Sequence, residues 1–486
     1  MTTAATATQR PSPTLLLSAY LGTFIALLDV MIVNVALPSI GTDLHADFGQ
    51  LQWIPGSFTL VLAALILSGG LIGDRYGRKR AYLTGIGLFV AGSLVCALAP
   101  TITVLIAGSV VQGGAAALII PGALSIIGRS APDHVYRAKL LGLYGMVVSI
   151  AVVAGPLLGG LLVDTLSWPY IFLINVPIGA IVIILGWRAI TESADPEHAH
   201  LDLRGQILGI LTLGSLVYAS IESREHGWGS AITLIPIGVF VLALIAFVVL
   251  ERRTNNPMLP MALFRNPQFT IVNIASIALG FAANGALFLL SLFLQIGQGH
   301  SAILTGVLFL PMTLAIIPAS WIAGNLTGRH GAGLPMTIGY TLVGVSLLGL
   351  MFLRPDTTYW MTALLFLING IGQGLAIAPA NAAVLHIVQP QRAGIASATV
   401  NAARYGGTAL GIATLGAFAH AQLATPTTIA TFTAGMRTAM LVGGIIVLLA
   451  AAALAVIIRP TRRSTRDTSP PAPAATASDS ARHTTT

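Results

Sequence analysis

Long apolar runs separated by short polar loops dominate this chain. Fourteen such runs can be read, at 15–37, 52–73, 81–99, 102–127, 138–163, 168–188, 206–222, 231–250, 268–294, 303–327, 335–353, 359–385, 394–420 and 435–458. A helix needs roughly 20 apolar residues to cross the hydrocarbon of a bilayer, and each run is near or above that length, 206–222 being the shortest. The pattern predicts an all-α integral membrane protein with fourteen transmembrane helices.

Composition supports lipid as the solvent of this chain. Only 8% of its 486 residues are charged and 55% are hydrophobic, and the mean hydropathy is +0.86. A soluble protein carries roughly 25% charged residues. The first run is too long for the apolar segment of a signal peptide and contains Asp29, so we interpret it as a first membrane span.

The positions of lysine and arginine predict the orientation. If the N-terminus is cytoplasmic, 20 of the 24 basic residues lie in cytoplasmic loops or tails, three lie outside and Arg404 lies within a span. Such a cytoplasmic excess is the known orientation signal, so both termini are predicted to be cytoplasmic. The net charge of +8 does not indicate nucleic-acid binding, because the charges are spread over short loops.

Two sequence pairs repeat in the same order in the first and second parts of the chain. They are Gly70, Arg75 and Gly77 with Gly324, Arg329 and Gly331, and Gln112-Gly113 and Pro121 with Gln373-Gly374 and Pro379. Such repeats are typical of secondary transporters. We therefore predict an N-terminal tail (1–14), a six-helix half (15–190), two additional central helices (200–252), a second six-helix half (262–460) and a disordered cytoplasmic tail (461–486).

Several motifs resemble those of a known family. Segment 70–80, GLIGDRYGRKR, is similar to the cytoplasmic signature of the major facilitator superfamily. Segments 28–38, 155–160 (GPLLGG) and 401–407, with the Trp168 to Gly179 pattern, resemble motifs of its fourteen-span drug:proton antiporters. This resemblance implies the major facilitator fold. It also implies export of drugs, antibiotics or similar small amphipathic compounds across a bacterial plasma membrane, driven by the proton gradient.

Asp29 is the candidate proton-coupling residue. It lies ~21 Å along a helix that begins near Leu15, at 1.5 Å per residue. A bare carboxylate at that depth costs about 3 kcal/mol on insertion scales, so a group that can take up and lose a proton is expected there. The alternative is a carboxylate that serves packing and is satisfied by neighbouring amides. Ser109 stands where the family usually has an arginine that is assigned a part in proton transfer, which puts the residue-level coupling scheme in doubt.

Other polar residues in the spans are candidates for a central cavity. Arg404 lies ~15 Å from the cytoplasmic start of its run, and an intramembrane arginine almost always finds a partner. We expect it to approach Asp29 or a substrate oxygen in one state, or to serve as a tether on backbone carbonyls. The remaining candidates for contact with solvent or substrate, with helix–helix hydrogen bonding as the alternative, are Asn34, Gln112, Gln295 and Gln373.

The loop between the second and third runs is a candidate cytoplasmic gate. Its motif residues are Gly70, Asp74, Arg75, Gly77 and Arg78. The glycines permit close helix approach and turn dihedrals. Asp74 could cap or pair with the other half and so hold the cytoplasmic mouth in one state. Orientation of the chain by positive charge alone would explain the arginines, but not the aspartate or the glycines.

The GPLLGG segment is the candidate antiporter motif. Pro156 after Gly155 should kink the fifth span, and Gly159 and Gly160 should form a smooth face for close helix contact. The resemblance assigns this segment to limiting leak, which favours exchange over a one-way pathway. On physical grounds alone, an ordinary membrane-helix kink is an equally good interpretation.

Other classes of protein are less well supported. The chain lacks a Gly-Lys-Ser/Thr phosphate loop, its loops leave no room for a catalytic domain, and its single cysteine and scattered histidines lack metal-ligand spacing. We therefore expect no enzyme activity, cofactor or metal. Expected partners are a small-molecule substrate, protons and membrane lipid, with no nucleic acid, and the chain is expected to be a monomer. A proton-coupled metabolite or lipid transporter on the same fold, and a receptor that transports nothing, are the alternatives.

Overall fold

A computed structural model of the protein describes residues 11–194, 202–254, 257–389, 392–421 and 429–458. The predicted disordered tail and most of the predicted N-terminal tail lie outside the described residues. The described chain is helical and contains no strand. Its first nine helices are α1 Pro13–Asp43, α2 Phe48–Tyr76, α3 Arg78–Ala97, α4 Ile102–Ser130, α5 His134–Thr165, α6 Tyr170–Leu173, α7 Asn175–Ala189, α8 Leu203–His226 and α9 Ala231–Arg253.

After α9 a short 3₁₀ turn, Met261–Arg265, leads into the second half. The helices there are α10 Pro267–Leu279, α11 Gly285–Leu292, α12 Ala302–Leu308, α13 Leu310–His330, α14 Gly333–Leu350, α15 Tyr359–Ile387, α16 Ala393–Ala421 and α17 Ile429–Ile457. The span predicted at 268–294 is interrupted by two wide π turns, Gly280–Asn284 and Phe293–Gly297, which the hydropathy pattern does not reveal. Such turns are frequent at functional sites.

Thirteen helical segments in the described residues are long and apolar enough to cross a membrane. The remaining predicted span, 394–420, corresponds to α16, a helix of 29 residues. It falls outside those thirteen, and its composition explains why, because it carries Asn401, Arg404 and many small residues. The helix nevertheless packs against α2, α8, α10 and α17 near the centre of the bundle. The predicted all-α membrane fold is confirmed.

The helices pack as two bundles with α8 and α9 beside them. In the first bundle α1 packs on α5 and α7, and α4 packs on α2 and α3. In the second, α15 packs on α13 and α14, and α17 packs on α14 and α16. Helix α8 contacts both α2 and α16, so the additional pair lies against the junction of the two bundles. The exact domain boundaries given above stay a prediction.

The repeat seen in the sequence has a structural counterpart. Gly77 (φ 109°) joins α2 to α3, and Gly331 (φ 81°) joins α13 to α14. A side chain is strained at such positive φ angles, which explains glycine at both turns. A Cβ added to Gly113 would lie 2.4 Å from the Phe58 carbonyl oxygen of α2. A Cβ added to Gly374 would similarly lie 2.7 Å from the Ile316 carbonyl oxygen of α13.

Candidate functional site

Asp29 lies in the middle of α1 with 3% of its surface exposed. Its Oδ1 atom accepts a hydrogen bond from Gln112 Nε2 of α4 at 3.0 Å. The same oxygen accepts a second one from Asn175 Nδ2, the first residue of α7, at 3.1 Å. Both amides also donate to Ser93 Oγ of α3. Four helices of the first half therefore converge on one carboxylate.

The same cluster contains two further small polar side chains. The Cys96 thiol donates to Gln112 Oε1 at 3.4 Å, which orients the amide so that its nitrogen points to Asp29. Ser109 Oγ donates to the Leu105 carbonyl oxygen of its own helix. Ser109 thus leaves the carboxylate to the two amides, and no arginine side chain occupies this position.

Two small cavities lie next to this cluster. The first is lined by Asp29, Phe58, Thr59 and Ser109 with neighbouring apolar residues of α1 and α2. The second lies between the halves and is lined by Asn34 and Met31 of α1 together with Asn284, Leu287, Thr408 and Ile412 of the second half. Each offers about 10 Å³ to the centre of a water-sized molecule, which is room for roughly one water. Neither cavity has room for a drug-sized molecule in this conformation.

Arg404 of α16 does not pair with Asp29 in this conformation. Its Nη2 atom donates to Asn401 Oδ1 at 2.9 Å, and its guanidinium carbon lies 5.1 Å from the centroid of the Tyr405 ring. Asn401 in turn donates to Asn381 Oδ1 of α15 at 3.4 Å. Arg404 thus belongs to a polar cluster of the second half, one helical turn from Thr408 at the second cavity.

The predicted cavity residues divide into two groups. Gln112 holds Asp29, and Asn34 lines the second cavity with its buried Oδ1 atom unpartnered. Gln295 instead donates to the Val35 carbonyl oxygen of α1 at 3.0 Å, and Gln373 donates to Asn369 Oδ1 of its own helix at 2.8 Å. For these last two, helix hydrogen bonding is the observed role in this conformation.

Hydrogen bonds between the two halves lie at one end of the bundle. At this end, which we call the closed end, α1 and α5 end and α2 and α12 begin. Gln52 Nε2 of α2 donates to the Ile412 and Ala413 carbonyl oxygens of α16. Ser291 Oγ donates to the Asn34 carbonyl oxygen at 2.7 Å. The Asp164 carboxylate accepts the backbone N–H groups of Ala302 and Ile303 at the start of α12.

The GPLLGG segment forms a close backbone-to-backbone contact between the halves at this end. A Cβ added to Gly160 would lie 2.4 Å from the Ala302 carbonyl oxygen of α12. In the other direction, a Cβ added to Gly306 of α12 would lie 2.2 Å from the Pro156 carbonyl oxygen. Gly155 and Gly159 pack closely against α1, because a Cβ added to either would collide with Met31 or Ile32. Helix α5 is continuous through Pro156.

The loop with the cytoplasmic signature lies at the opposite end of the bundle. Asp74 forms an ion pair with Arg78 of its own half at 2.5 Å, and among the described residues it has no ion pair with the other half in this conformation. The Glu192 carboxylate accepts the backbone N–H groups of Lys79 and Arg80 and so caps α3. A Cβ added to Gly77 would lie 2.6 Å from this carboxylate, which is a second reason for glycine there.

The sequence did not identify three of these residues as functional. Asn175 lies within the Trp168 to Gly179 pattern, which assigns it no role, and Ser93 and Glu192 belong to none of the candidate motifs. A polar amide inside an apolar run is the signal that would have found Asn175. Ser93 and Glu192 carried no such signal, because serine is common in membrane helices and Glu192 follows the span in a polar loop.

Replacing either amide that holds Asp29 should destabilise the first half. For Asn175→Leu or Gln112→Leu we expect a loss of about 1.5–3 kcal/mol, because a buried carboxylate loses a donor. Gln373→Leu is the matched control, since the equivalent glutamine bonds only within α15; about 1 kcal/mol is expected there. Unfolding in detergent micelles measures both, and equal losses at positions 112 and 373 would contradict the interpretation.

Two related helical halves that enclose a buried carboxylate and small cavities at their junction define a secondary transporter. The sequence profile of the Major Facilitator Superfamily matches residues 19–412, and the chain belongs to this superfamily. It is a multi-pass membrane transporter, and a small molecule is its substrate.

Comparisons with known proteins agree. The chain is 36% identical over 408 residues to the "Multidrug resistance protein Stp" of Mycobacterium tuberculosis, covering 84% of this chain and 76% of that protein. It is 35% identical to the "Methylenomycin A resistance protein" of Streptomyces coelicolor, covering 82% and 84% respectively. A crystal structure of the nucleoside transporter NupG, a D323A mutant, shares the fold at 12% identity. The superposition has a TM-score of 0.66 and covers 92% of this chain and all of the NupG chain.

Proposed function

We propose that this transporter exports drugs, antibiotics or similar small amphipathic compounds across the bacterial plasma membrane in exchange for protons. The observation that carries the proposal is the buried Asp29 carboxylate, held by two amides beside a cavity in the membrane-spanning part of the fold. Relatives that are more than a third identical over most of this chain are named for resistance to drugs and to methylenomycin A.

The environment of Asp29 supports reversible proton uptake. Burial in a low-dielectric site disfavours the ionised carboxylate, whereas two N–H donors stabilise it. A shift of α4 or α7 that lengthens either hydrogen bond would favour the protonated acid. In the proposed cycle one proton binds Asp29 from the outer side and leaves to the cytoplasm, and no other bond forms or breaks.

The closed end is proposed to face outward, with the Asp74 loop at the cytoplasmic side. The excess of lysine and arginine in the loops supports this orientation and cytoplasmic termini. Separation of the halves for release outside would break the Gln52, Ser291 and Asp164 hydrogen bonds. In the opposite conformation Asp74 is proposed to leave Arg78 and to hold the cytoplasmic ends of the two halves together.

Asn34 and Arg404 are the proposed substrate contacts. The Asn34 Oδ1 atom is buried without a partner in this conformation, and such an acceptor is costly unless a donor reaches it. Arg404 has donors beyond the one that Asn401 accepts. A substrate between the halves could therefore donate to Asn34 and accept from Arg404, with apolar contacts from Met31 and Leu287.

Purified protein in vesicles tests the function directly. An imposed pH gradient should drive a fluorescent amphipathic dye against its concentration gradient, while protons move in the opposite direction. An uncoupler should abolish both fluxes, since it removes the driving force. Dye accumulation that survives the uncoupler would exclude proton drive, and proton-coupled movement of a metabolite or lipid but of no drug would favour the alternative substrate class.

A further inference from the structure

A pair of carboxylates lies at the end of the bundle opposite the closed end, where α8 begins and α9 ends. Glu251 of α9 has only 2% of its surface exposed, and its Oε2 atom accepts the backbone N–H of Leu259 at 3.0 Å. Asp202 begins α8, and its Oδ1 atom accepts the backbone N–H of Gly205 at 2.8 Å. Each carboxylate thus has one oxygen that accepts a hydrogen bond from a backbone N–H group.

The other two oxygens lie close to the same glycine and have no partners among the described residues. Glu251 Oε1 and Asp202 Oδ2 are both buried and accept no hydrogen bond in the described part of the chain. Both lie over Gly205, whose added Cβ would meet them at 2.6 and 2.9 Å. Two buried carboxylate oxygens this close cannot both carry charge cheaply, because each is desolvated and repels the other.

The arginines next to the pair on α8 and α9 do not balance its charge. Arg204, Arg252 and Arg253 are exposed, and among the described residues none of them forms an ion pair with either carboxylate. The neighbouring α2 presents Ser68, which contacts Gln206 and Met258. Among the described residues, the neighbours named here are therefore neutral polar or apolar groups, and Asp202 is the titratable group next to Glu251.

We propose that Asp202 and Glu251 bind one proton between them, as a second protonation site separate from Asp29. A single proton on Glu251 Oε1 turns that oxygen into a donor and Asp202 Oδ2 into its acceptor, so both orphaned atoms are satisfied at once. One negative charge then remains on the pair, and it is stabilised by the Gly205 and Leu259 N–H groups.

The position gives this proton a structural consequence. Glu251 holds Leu259, and Met258 beside it contacts Ser68 of α2, so the pair secures the segment that leads from α9 to the second half. Loss of the proton would leave two facing charges and weaken the α8–α9 junction. The stabilisation is present while the proton is bound and is lost as the pH rises.

Infrared spectroscopy of the full-length protein tests the site without relying on transport. The chain carries Asp29→Asn in all samples, so that the proton-coupling residue contributes nothing. At neutral pH we expect one C=O stretching band of a protonated carboxylic acid, shifted by D₂O, and its loss in both Glu251→Gln and Asp202→Asn. Asparagine at position 202 still caps α8 and offers an N–H to Glu251, so that variant should fold even if Glu251→Gln does not.

Glu222→Gln is the matched control, because Glu222 lies on α8 beside His226 and should leave the band unchanged. In addition, the unfolding midpoint should fall with rising pH more steeply in the parent than in Glu251→Gln. Absence of the band, or a band that neither variant removes, would overturn the proposal. A Glu251-dependent rise of the midpoint on adding Na⁺, K⁺ or Mg²⁺, with no acid band, would overturn it in favour of a cation site.

Discussion

Vesicles that contain Asp29→Asn are expected to show no drug accumulation against a gradient and no substrate-dependent proton flux. The asparagine is close in size to aspartate, and its oxygen still accepts from Gln112 and Asn175, so the first half should stay folded. What it cannot do is bind and release a proton in this range of pH. Export should therefore fall to the level of empty vesicles, while downhill movement of the substrate continues.

Two controls define this experiment. Asp356→Asn removes an exposed carboxylate between α14 and α15 and should leave transport unchanged. Asp29→Glu keeps an acid, with a side chain too long for the present hydrogen bonds, and should retain part of the proton flux. Uphill export by Asp29→Asn at the parent rate would remove Asp29 from the coupling mechanism and leave its carboxylate a packing role.

Gly160→Val is expected to block transport by forcing the halves apart at the closed end. Its side chain would overlap the Ala302 carbonyl oxygen, and backbone cannot move aside as a side-chain tip can. Overpacking typically costs about 1–3 kcal/mol, and here separation of the halves relieves it. Conformations that are open at this end should therefore dominate, as measured by labelling of a cysteine introduced at Thr59 in a Cys96→Ser background.

The same helix provides the control for this substitution. Gly142 of α5 has no atom within 4 Å of an added Cβ, so Gly142→Val should neither expose Thr59 to the reagent nor block transport. Gly306→Val approaches the same contact from α12 and should reproduce the effect of Gly160→Val. Unchanged labelling in both interface variants would show that the GPLLGG segment does not control opening at this end.

The helical membrane fold could be predicted well because its cause is local in the sequence. A backbone in lipid must satisfy its own hydrogen bonds, so each long apolar run has to form a helix. What the sequence could not show also has a physical reason. Hydropathy could not show the π turns at Gly280 and Phe293, since such turns depend on packing against other helices. The first lies against α16 and the second against α17. The sequence did predict α16 as the span at 394–420, although that helix is less apolar than the others because it carries Arg404.

The candidate site was predicted only in part. Asp29 stands out because a carboxylate in an apolar run is costly wherever the helix packs. That Gln112 and Asn175 hold it could not be predicted, since they lie 83 and 146 residues away along the chain. Arg404 was predicted to approach Asp29 because both lie deep in the membrane. Depth in the membrane does not specify which way a side chain points. The structure instead joins Arg404 to Asn401 of its own helix.

The amino-acid sequence by itself determined that this chain lies in a membrane, that it has two related halves and that one acid is buried in its first span. These properties follow from the energy of transfer to lipid and from repetition, which are readable residue by residue. Tertiary structure alone decided which amides hold that acid, which end of the bundle is closed and that Asp202 meets Glu251. Each of these depends on contacts between distant segments, whose geometry is set by helix packing and leaves no local pattern.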